Sequence, residues 1–427
     1  MLDIKLIRDN PRLIRRNLEK RGEPRVVKQL DDMIRYDEQW RQLLTQVNGL
    51  RHRRRVVTEE IAKLKKEGKN TDEKINEAKN ITELIKKLEK TVEDRKEKVN
   101  SILFRLPNLL HESVPIGKDE SANEIVRIVG KPPEFGFPPK NHVEIAQSLN
   151  LIDAERAARA AGHGFYYLQG ALALLDLAIL RYAIDFLLQR GYLLIEPPFM
   201  LRRKAYLGAT DLEFFEEQLY KIESDELYMI ATAEHPLAAY FMDEVVEKRD
   251  LPAKLVGFST NFRKEVGAHG KYTKGLFRVH QFNKVEQFIF CLPQDSWTLH
   301  EELQKNAEDL YDGLGLHFRT VNVCTGDIGS LAAKRYDVEV WMADGTYREA
   351  GSNSNCTDYQ ARRLNVRYRE KKGMAPAGFV HTLNNTALAT SRTMIAVLEQ
   401  HQQEDGSVIV PEALRPYMNG MEKIAKP

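Results

Sequence analysis

Apolar residues return every three or four positions along the first quarter of the chain. Met33, Tyr36, Trp40, Leu43, Val47, Leu50, Arg54, Val57, Ile61 and Leu64 trace one stripe, broken once by Arg54. Ala78, Ile81, Ile85, Leu88, Val92, Arg95, Val99, Ile102 and Leu106 trace a second, which Pro107 ends. A stripe this narrow is a coiled-coil seam, with the rest of each helix in water. The KEGKNTDE turn around Gly68 requires the two helices to pack antiparallel, each of roughly 35 residues, so that the pair projects on the order of 50 Å.

Residues 107–165 are rich in proline and glycine, including KPPEFGFPPKNH, and read as a linker into a second domain. An apolar helix over about 171–189 follows and stops at Gly191. GYLLIEPPFMLRR is then a buried strand closed by Pro197 and Pro198, and YMIATAEHPLAAYF sets Thr232, Ala233 and Glu234 between apolar runs.

Over 258–290 the period changes to two, which predicts two strands joined by a long loop, 267–275. Steps of two from Arg278 put His280, Phe282, Lys284, Glu286, Phe288 and Phe290 on one face. Phe277, Val279, Val285 and Ile289 fall on the other, largely core, face. In the first strand Arg263 and Glu265 share a side, with Phe262 turned away. Both faces of the second strand are partly apolar, so it is central, and Arg and Glu buried there need partners. Arginine's planar fork suits carboxylates and phosphates, and an aromatic face suits a purine. The loop exceeds ordinary hairpin length, which favours substrate contact, and it has no GxxxxGK[ST] spacing. Further on, a helix around 295–313, the strand YDVEVWM and the strand carrying Glu349 and Ser352 lead to a strand, turn and helix over 381–402, the helix opening near Thr386.

The net charge of +2 conceals an asymmetry. Residues 1–106 carry 28 Lys and Arg against 19 Asp and Glu, a net of +9, which leaves the remainder at −7. A basic appendage on a mildly acidic body suits a polyanion, and Arg51, Arg53, Arg54 and Arg55 concentrate that charge. Taken alone, the hairpin is equally compatible with a spacer or a dimerisation coiled coil. Cys291, Cys324 and Cys356 are dispersed and form no CxxC, which points to a reducing, cytoplasmic setting without disulfides. Without an apolar leader or a run of about 18 apolar residues, the protein is expected to be soluble and without a membrane partner.

FRKE, a loop, and then GLFRVHQFNKVEQF resemble motif 2 of class II aminoacyl-tRNA synthetases, in the form found in seryl-tRNA synthetases of the common zinc-independent type. Residues 191–203 resemble motif 1, the family's dimer interface, TAE its serine-site loop, and 381–402 its motif 3, archaeal and eukaryotic in character. The resemblance covers nearly the whole chain. It implies an α+β fold with an antiparallel β-sheet flanked by helices and an N-terminal antiparallel coiled-coil arm. The implied domains are 1–106, with the arm over about 30–106, the linker 107–165 and a catalytic domain 166–427.

It also implies serine plus ATP giving seryl-adenylate, then transfer to the terminal ribose of tRNA(Ser), gripped through its long variable arm by a homodimer. Carried over residue by residue, L-serine would meet Thr232, Ala233, Glu234, Arg263, Glu286, Asn384 and Thr386. ATP would meet Arg263, Lys264, Glu265, Arg278, Val279, Phe282, Glu349, Ala350, Gly351, Ser352 and Arg392, with Phe282 and Arg392 sandwiching the adenine. Arg263 is the catalytic residue, bridging α-phosphate and carboxylate, and Glu349 and Ser352 would hold Mg²⁺ through the phosphates. Gly351 stands where the family usually has a serine. No zinc is expected, since HEELQ at His300 lacks a second histidine and the cysteines have no metal spacing. Two other readings compete, a homologue loading amino acids onto carrier proteins and a non-catalytic tRNA-binding paralogue. The first would lack the arm, and the second would have lost a charged floor residue.

Overall fold

The computed structural model describes residues 1–266 and 275–426, so the loop expected to contact substrate lies outside the described residues except for Gly275. The chain divides into two compact units, Met1–Pro107 and Asn108–Pro427.

The first unit is built on two long helices, α1 (Pro24–Lys66) and α2 (Asp72–Arg105). α1 has 43 residues, longer than its seam predicts, because Pro24 opens it at N1 and Val26 and Leu30 extend its buried face ahead of Met33. Val47, Val57, Ile81 and Ile85 are buried between the helices, with Leu50, Ile61, Leu88 and Val92 packed beside them. That is the narrow seam of an antiparallel pair. Residues 51–55 are all exposed, so the seam skips Arg54 and tolerates its charge. Arg51 pairs with Glu89 at 2.8 Å and Arg53 with Glu77 at 2.5 Å across the two helices.

The second unit is organised on an eight-stranded sheet. In chain order its strands are β1 (Glu124–Val129), β2 (Leu193–Ile195), β3 (Ala253–Phe262), β4 (Gln281–Cys291), β5 (Phe318–Asn322), β6 (Lys334–Trp341), β7 (Tyr347–Thr357) and β8 (His381–Ala389). They lie in the order β1-β5-β6-β7-β8-β4-β3-β2, antiparallel throughout except for the edge pair β2 and β3. One face is covered by α3 (Gly170–Gln189), α4 (Ser296–Gly313) and α5 (Thr390–Gln400), which bury Val285 and Ile289 among their leucines. On the other face Phe288 and Phe290 pack with Leu237 and Leu364. β4 is therefore central and covered on both sides.

The stretch 108–165 is more than a connection. It adds edge strand β1 and the helix His142–Ser148 to the second unit, and His142 bonds Glu399 at 2.8 Å. Its prolines and glycines obscured a strand whose side chains are mostly exposed, so no apolar alternation marks it. The C-terminal helix also starts later than expected. Thr386 lies inside β8, which runs on to Ala389 before Thr390 opens α5, because the β8 ladder with β4 continues past a bulge between Thr386 and Leu388.

Candidate active site

The register of three strands assembles the centre of the site. Glu286 of β4 stands opposite Gly257 on β3 and Thr386 on β8, so its side chain and that of Thr386 emerge side by side. Gly257 leaves room for the helix Glu234–Ala238 to close on the sheet, since a Cβ there would lie 2.9 Å from a Leu237 methyl. That contact brings the TAE segment against β4. Gly351 acts similarly, because an added Cβ would approach the Thr386 Cβ to 3.1 Å, tighter than ordinary packing. Glycine at this position lets β7 and Thr386 meet closely.

Two adjoining chambers result. The larger, about 270 Å³, is lined by Thr232, Glu234, Glu286, Asn384 and Thr386, with Arg335 and the 328–332 segment forming its far wall. The smaller, about 60 Å³, is lined by Glu265, Phe277, Val279, Phe282, Ala350, Gly351 and Arg392. Arg263, Lys284, Glu349 and Thr386 border both. Arg263 is held by its Nε, which donates to the Ala231 carbonyl at 3.1 Å, and its guanidinium lies 5.1 Å from the Phe282 ring centroid.

In the large chamber the charges are tightly coupled. Glu286 is 1% exposed and forms an ion pair with Lys284, itself 6% exposed. Lys284 also donates to Thr386 Oγ1 at 3.3 Å, and Thr386 Oγ1 lies 3.4 Å from Glu286 Oε2. Burial pushes the Glu286 carboxyl above its ordinary value, while Lys284 and Thr386 pull it part of the way back. Glu234 accepts from Gln360 at 3.1 Å and Asn384 at 3.3 Å, and Thr232 Oγ1 accepts from its backbone N–H at 3.2 Å. Desolvation, and then the nearby Glu286 charge, push Glu234 up to about 7. Burial, with Lys284 and Arg263 adding to it, pushes neighbouring His235 down to about 3, so it is neutral near pH 7.

In the small chamber Glu349 is 48% exposed to the cleft. Desolvation raises its pKa, but Arg392, Arg335 and Arg263 outweigh that effect and hold it below the ordinary value. Ser352, which lines the larger chamber, has its Oγ 3.3 Å from Glu349 Oε1, so two oxygen donors stand together where the chambers share Glu349. Arg392 donates to the Glu349 carbonyl at 2.6 Å and lies over Phe277 at 4.9 Å. Arg278 bonds Glu265 at 3.2 Å and is 46% exposed. Lys264 does not border either chamber, and its ammonium lies 5.8 Å from the Tyr220 ring centroid.

Three features depart from the reading of the sequence. Phe277 lines the small chamber as well as packing against the core, because β4 starts only at Gln281 and the preceding turn does not obey strand alternation. Lys284, on the chemical face of β4 but outside the residues the resemblance assigns to substrate, forms an ion pair with Glu286 two residues on, as neighbours on one strand face can. Gln360, bonded to Glu234, the Ala209 carbonyl and Thr382, had no signal in the sequence, since its partners come from three distant segments.

The description "tRNA synthetase class II core domain (G, H, P, S and T)" matches residues 218–401, and "Seryl-tRNA synthetase N-terminal domain" matches residues 1–110. A serine–tRNA ligase from Methanospirillum hungatei is 50% identical over 423 residues, 99% of this chain and 100% of that protein. A crystal structure of seryl-tRNA synthetase from Pyrococcus horikoshii complexed with ATP aligns with a TM-score of 0.97 at 45% identity, covering 100% of both chains. A cytoplasmic serine–tRNA ligase from Naegleria fowleri in complex with AMP aligns at 0.91 and 36% identity, over 100% of this chain and 99% of that one.

The Lys284 and Glu286 pair makes a direct prediction. Lys284→Met strands a buried carboxylate, which typically costs about 3 to 5 kcal/mol. Glu286 then has a folded pKa raised above its unfolded value, so stability is retained below the unfolded value and lost as pH rises through the folded one. Denaturant unfolding should show a larger deficit at pH 8 than at pH 5.5, and adding Glu286→Gln should recover most of it. A deficit that is the same at both pH values would remove the ion pair as its cause.

Proposed function

This chain belongs to the seryl-tRNA synthetases, and on that premise we propose how its own residues carry out the reaction. The protein attaches L-serine to tRNA(Ser) in two steps, ATP-dependent formation of seryl-adenylate and then transfer of the seryl group to the tRNA. The serine carboxylate forms a bond to the α-phosphorus as pyrophosphate leaves, and the terminal ribose hydroxyl of tRNA then takes the seryl group as AMP leaves.

The observation that carries the assignment is the position of Arg263 on the border of both chambers. Serine occupies the larger chamber and ATP the smaller, so one guanidinium serves the attacking carboxylate and the α-phosphate together. Catalysis of this kind is positioning plus neutralisation of charge that develops between two anions. Glu286 accepts from the serine ammonium and hydroxyl, Thr386 completes the hydroxyl's shell, and Glu234, Thr232 and Asn384 close the ammonium side. A pocket built to bond a hydroxyl rejects alanine because its own polar groups would be left unpaired. Phe282, Phe277 and Arg392 offer flat surfaces for adenine, Glu265 an acceptor for its amino group, and Arg278 a charge for the outer phosphates.

The donor set at Glu349 and Ser352 fits Mg²⁺, since a hard cation takes oxygen ligands and a carboxylate open to the cleft leaves room for phosphates to supply the rest. When bound, the ion neutralises phosphate charge and fixes the phosphates for attack. Two further elements of the reading rest on surface chemistry. Leu193 and Leu194 on edge strand β2, with Leu177 and Leu188 on α3, are exposed apolar residues suited to a homodimer contact. The basic face of the arm, Arg51 to Arg55, suits the backbone of the long variable arm of tRNA(Ser). No helix among the described residues is long and apolar enough to cross a membrane, and the three cysteines are unpaired and buried, in keeping with work in the cytoplasm.

Three measurements test this reading. Pyrophosphate exchange should respond to serine above all other amino acids, and Arg263→Ala should cost about 3 to 4 kcal/mol, a factor of about 10² to 10³. A folded Arg263→Ala protein with near-parental exchange would remove that residue from the mechanism. The second measurement concerns pH. Below its value of about 7, Glu234 must release a proton before it faces the serine ammonium. KM for serine should therefore fall about tenfold per pH unit below 7 and level off above it, while Glu234→Gln flattens the profile. A flat parental profile between pH 6 and 8 rejects the role. The third replaces residues 30–106 with a short linker, which should spare exchange and abolish charging. In the intact protein tRNA affinity should fall steeply with salt. Normal charging by the armless protein would reduce the arm to a spacer.

A further inference from the structure

Glu265, which lines the small chamber, is a non-glycine residue in the left-handed region with φ +50°. Such a conformation persists only where its surroundings over-determine it. Here the backbone on both sides of Glu265 is held by one residue, Gln218. The Lys264 N–H donates to the Gln218 carbonyl at 2.9 Å, so the residue before Glu265 is tied to the Gln218 backbone. The residue after it is tied to the Gln218 side chain, whose Nε2 donates to the Val266 carbonyl and whose Oε1 accepts from the Val266 N–H, both at 3.1 Å. A primary amide placed this way satisfies a donor and an acceptor at once, as a neighbouring strand would.

The same short segment grips the other stem of the hairpin. The Tyr220 hydroxyl lies 2.7 Å from His280 Nδ1, and the His280 carbonyl accepts from the Arg263 N–H at 3.0 Å. Phe165 stacks on the His280 ring with centroids 5.1 Å apart. Glu265 in its fixed conformation pairs with Arg278 at 3.2 Å, across the two stems.

We propose that Gln218 is a positioning residue for the ATP side of the reaction, its side-chain amide holding Glu265 in the left-handed conformation that aims the carboxylate at the small chamber and at Arg278. The proposal rests on the assignment of that chamber to ATP. Gln218 borders neither chamber, and its effect passes entirely through the backbone of residues 264–266. It therefore acts on ATP recognition and leaves serine recognition, which depends on Glu286 and Thr386 in the sheet, alone.

The test uses full-length Gln218→Ala and Gln218→Glu. The first loses both side-chain bonds. The second keeps an acceptor for the Val266 N–H and sets a carboxylate against the Val266 carbonyl. Two hydrogen bonds of ordinary strength correspond to a rise of about tenfold in KM for ATP, with KM for serine unchanged and unfolding midpoints close to the parent. In a Glu265→Gly background, where glycine adopts positive φ freely, the added effect of Gln218→Ala should shrink toward nothing. Hydrogen exchange read at the Val266 amide should accelerate in Gln218→Ala with or without substrates. An ATP KM within twofold of the parent, equal rises in both KM values, or an unchanged Val266 exchange rate overturns the proposal. A parent that shows no serine-dependent exchange overturns the functional reading instead, and the Val266 exchange rate still decides whether the bracket exists.

Discussion

Burying charge at the middle of a sheet is the constraint on which the second unit depends. Removing a carboxylate or an ammonium from water costs several kcal/mol unless partners with good geometry replace the water. β4 places Lys284 and Glu286 almost fully inside the protein, and each is the other's main compensation. Thr386 enters because the register with β8 brings it directly across from Glu286. Glu234 enters because the small residue at Gly257 lets its helix close on β3. The cleft is a set of charges fixed before any substrate arrives, which is how electrostatic stabilisation avoids reorganisation during the reaction.

That arrangement explains why the two chambers differ in character. The larger is bordered by Glu234 and Glu286, whose carboxyls burial holds above their ordinary values, alongside Arg263, Lys284 and Arg335, and its acceptors suit an ammonium. The smaller is bordered by Arg263 and Arg392, which together with Arg335 from the larger chamber hold Glu349 below its ordinary value despite desolvation, and these guanidiniums suit phosphates. Arg263 belongs to both because β3 ends one residue before it, at Phe262, and the backbone is then tied to His280 instead of continuing the ladder.

Much of this was legible in the sequence where a period repeats. The seams of α1 and α2 and the alternation along β4 follow directly from packing demands, and the chemical face of β4 could be read as far as Glu286. Reading failed where the period stops. Strand alternation extended into a turn gives Phe277 a core side only, and 107–165 reads as a linker because an edge strand with mostly exposed side chains leaves no apolar pattern. The functions of Gln360 and Gln218 depend on neighbours brought together by folding alone, and a glutamine carries no periodic signal. Arg51 and Arg53 show the opposite limitation. Their clustering is visible, but their cross-helix partners Glu77 and Glu89 are 24 and 38 residues away.

The departures from the family pattern make physical sense in the same terms. A serine at 351 would place its Cβ 3.1 Å from that of Thr386 and 3.2 Å from the Thr386 carbonyl, so one of the two strands would have to yield. Thr386 is the hydroxyl nearest Glu286, at 3.4 Å, and any shift of it alters the space left for a substrate side chain. Discrimination between serine and threonine turns on a single methyl group, which binding alone separates only modestly. A glycine that fixes how closely Thr386 is pressed against β7 therefore bears on the shape of the larger chamber, which Thr386 borders, although Gly351 itself lines only the smaller.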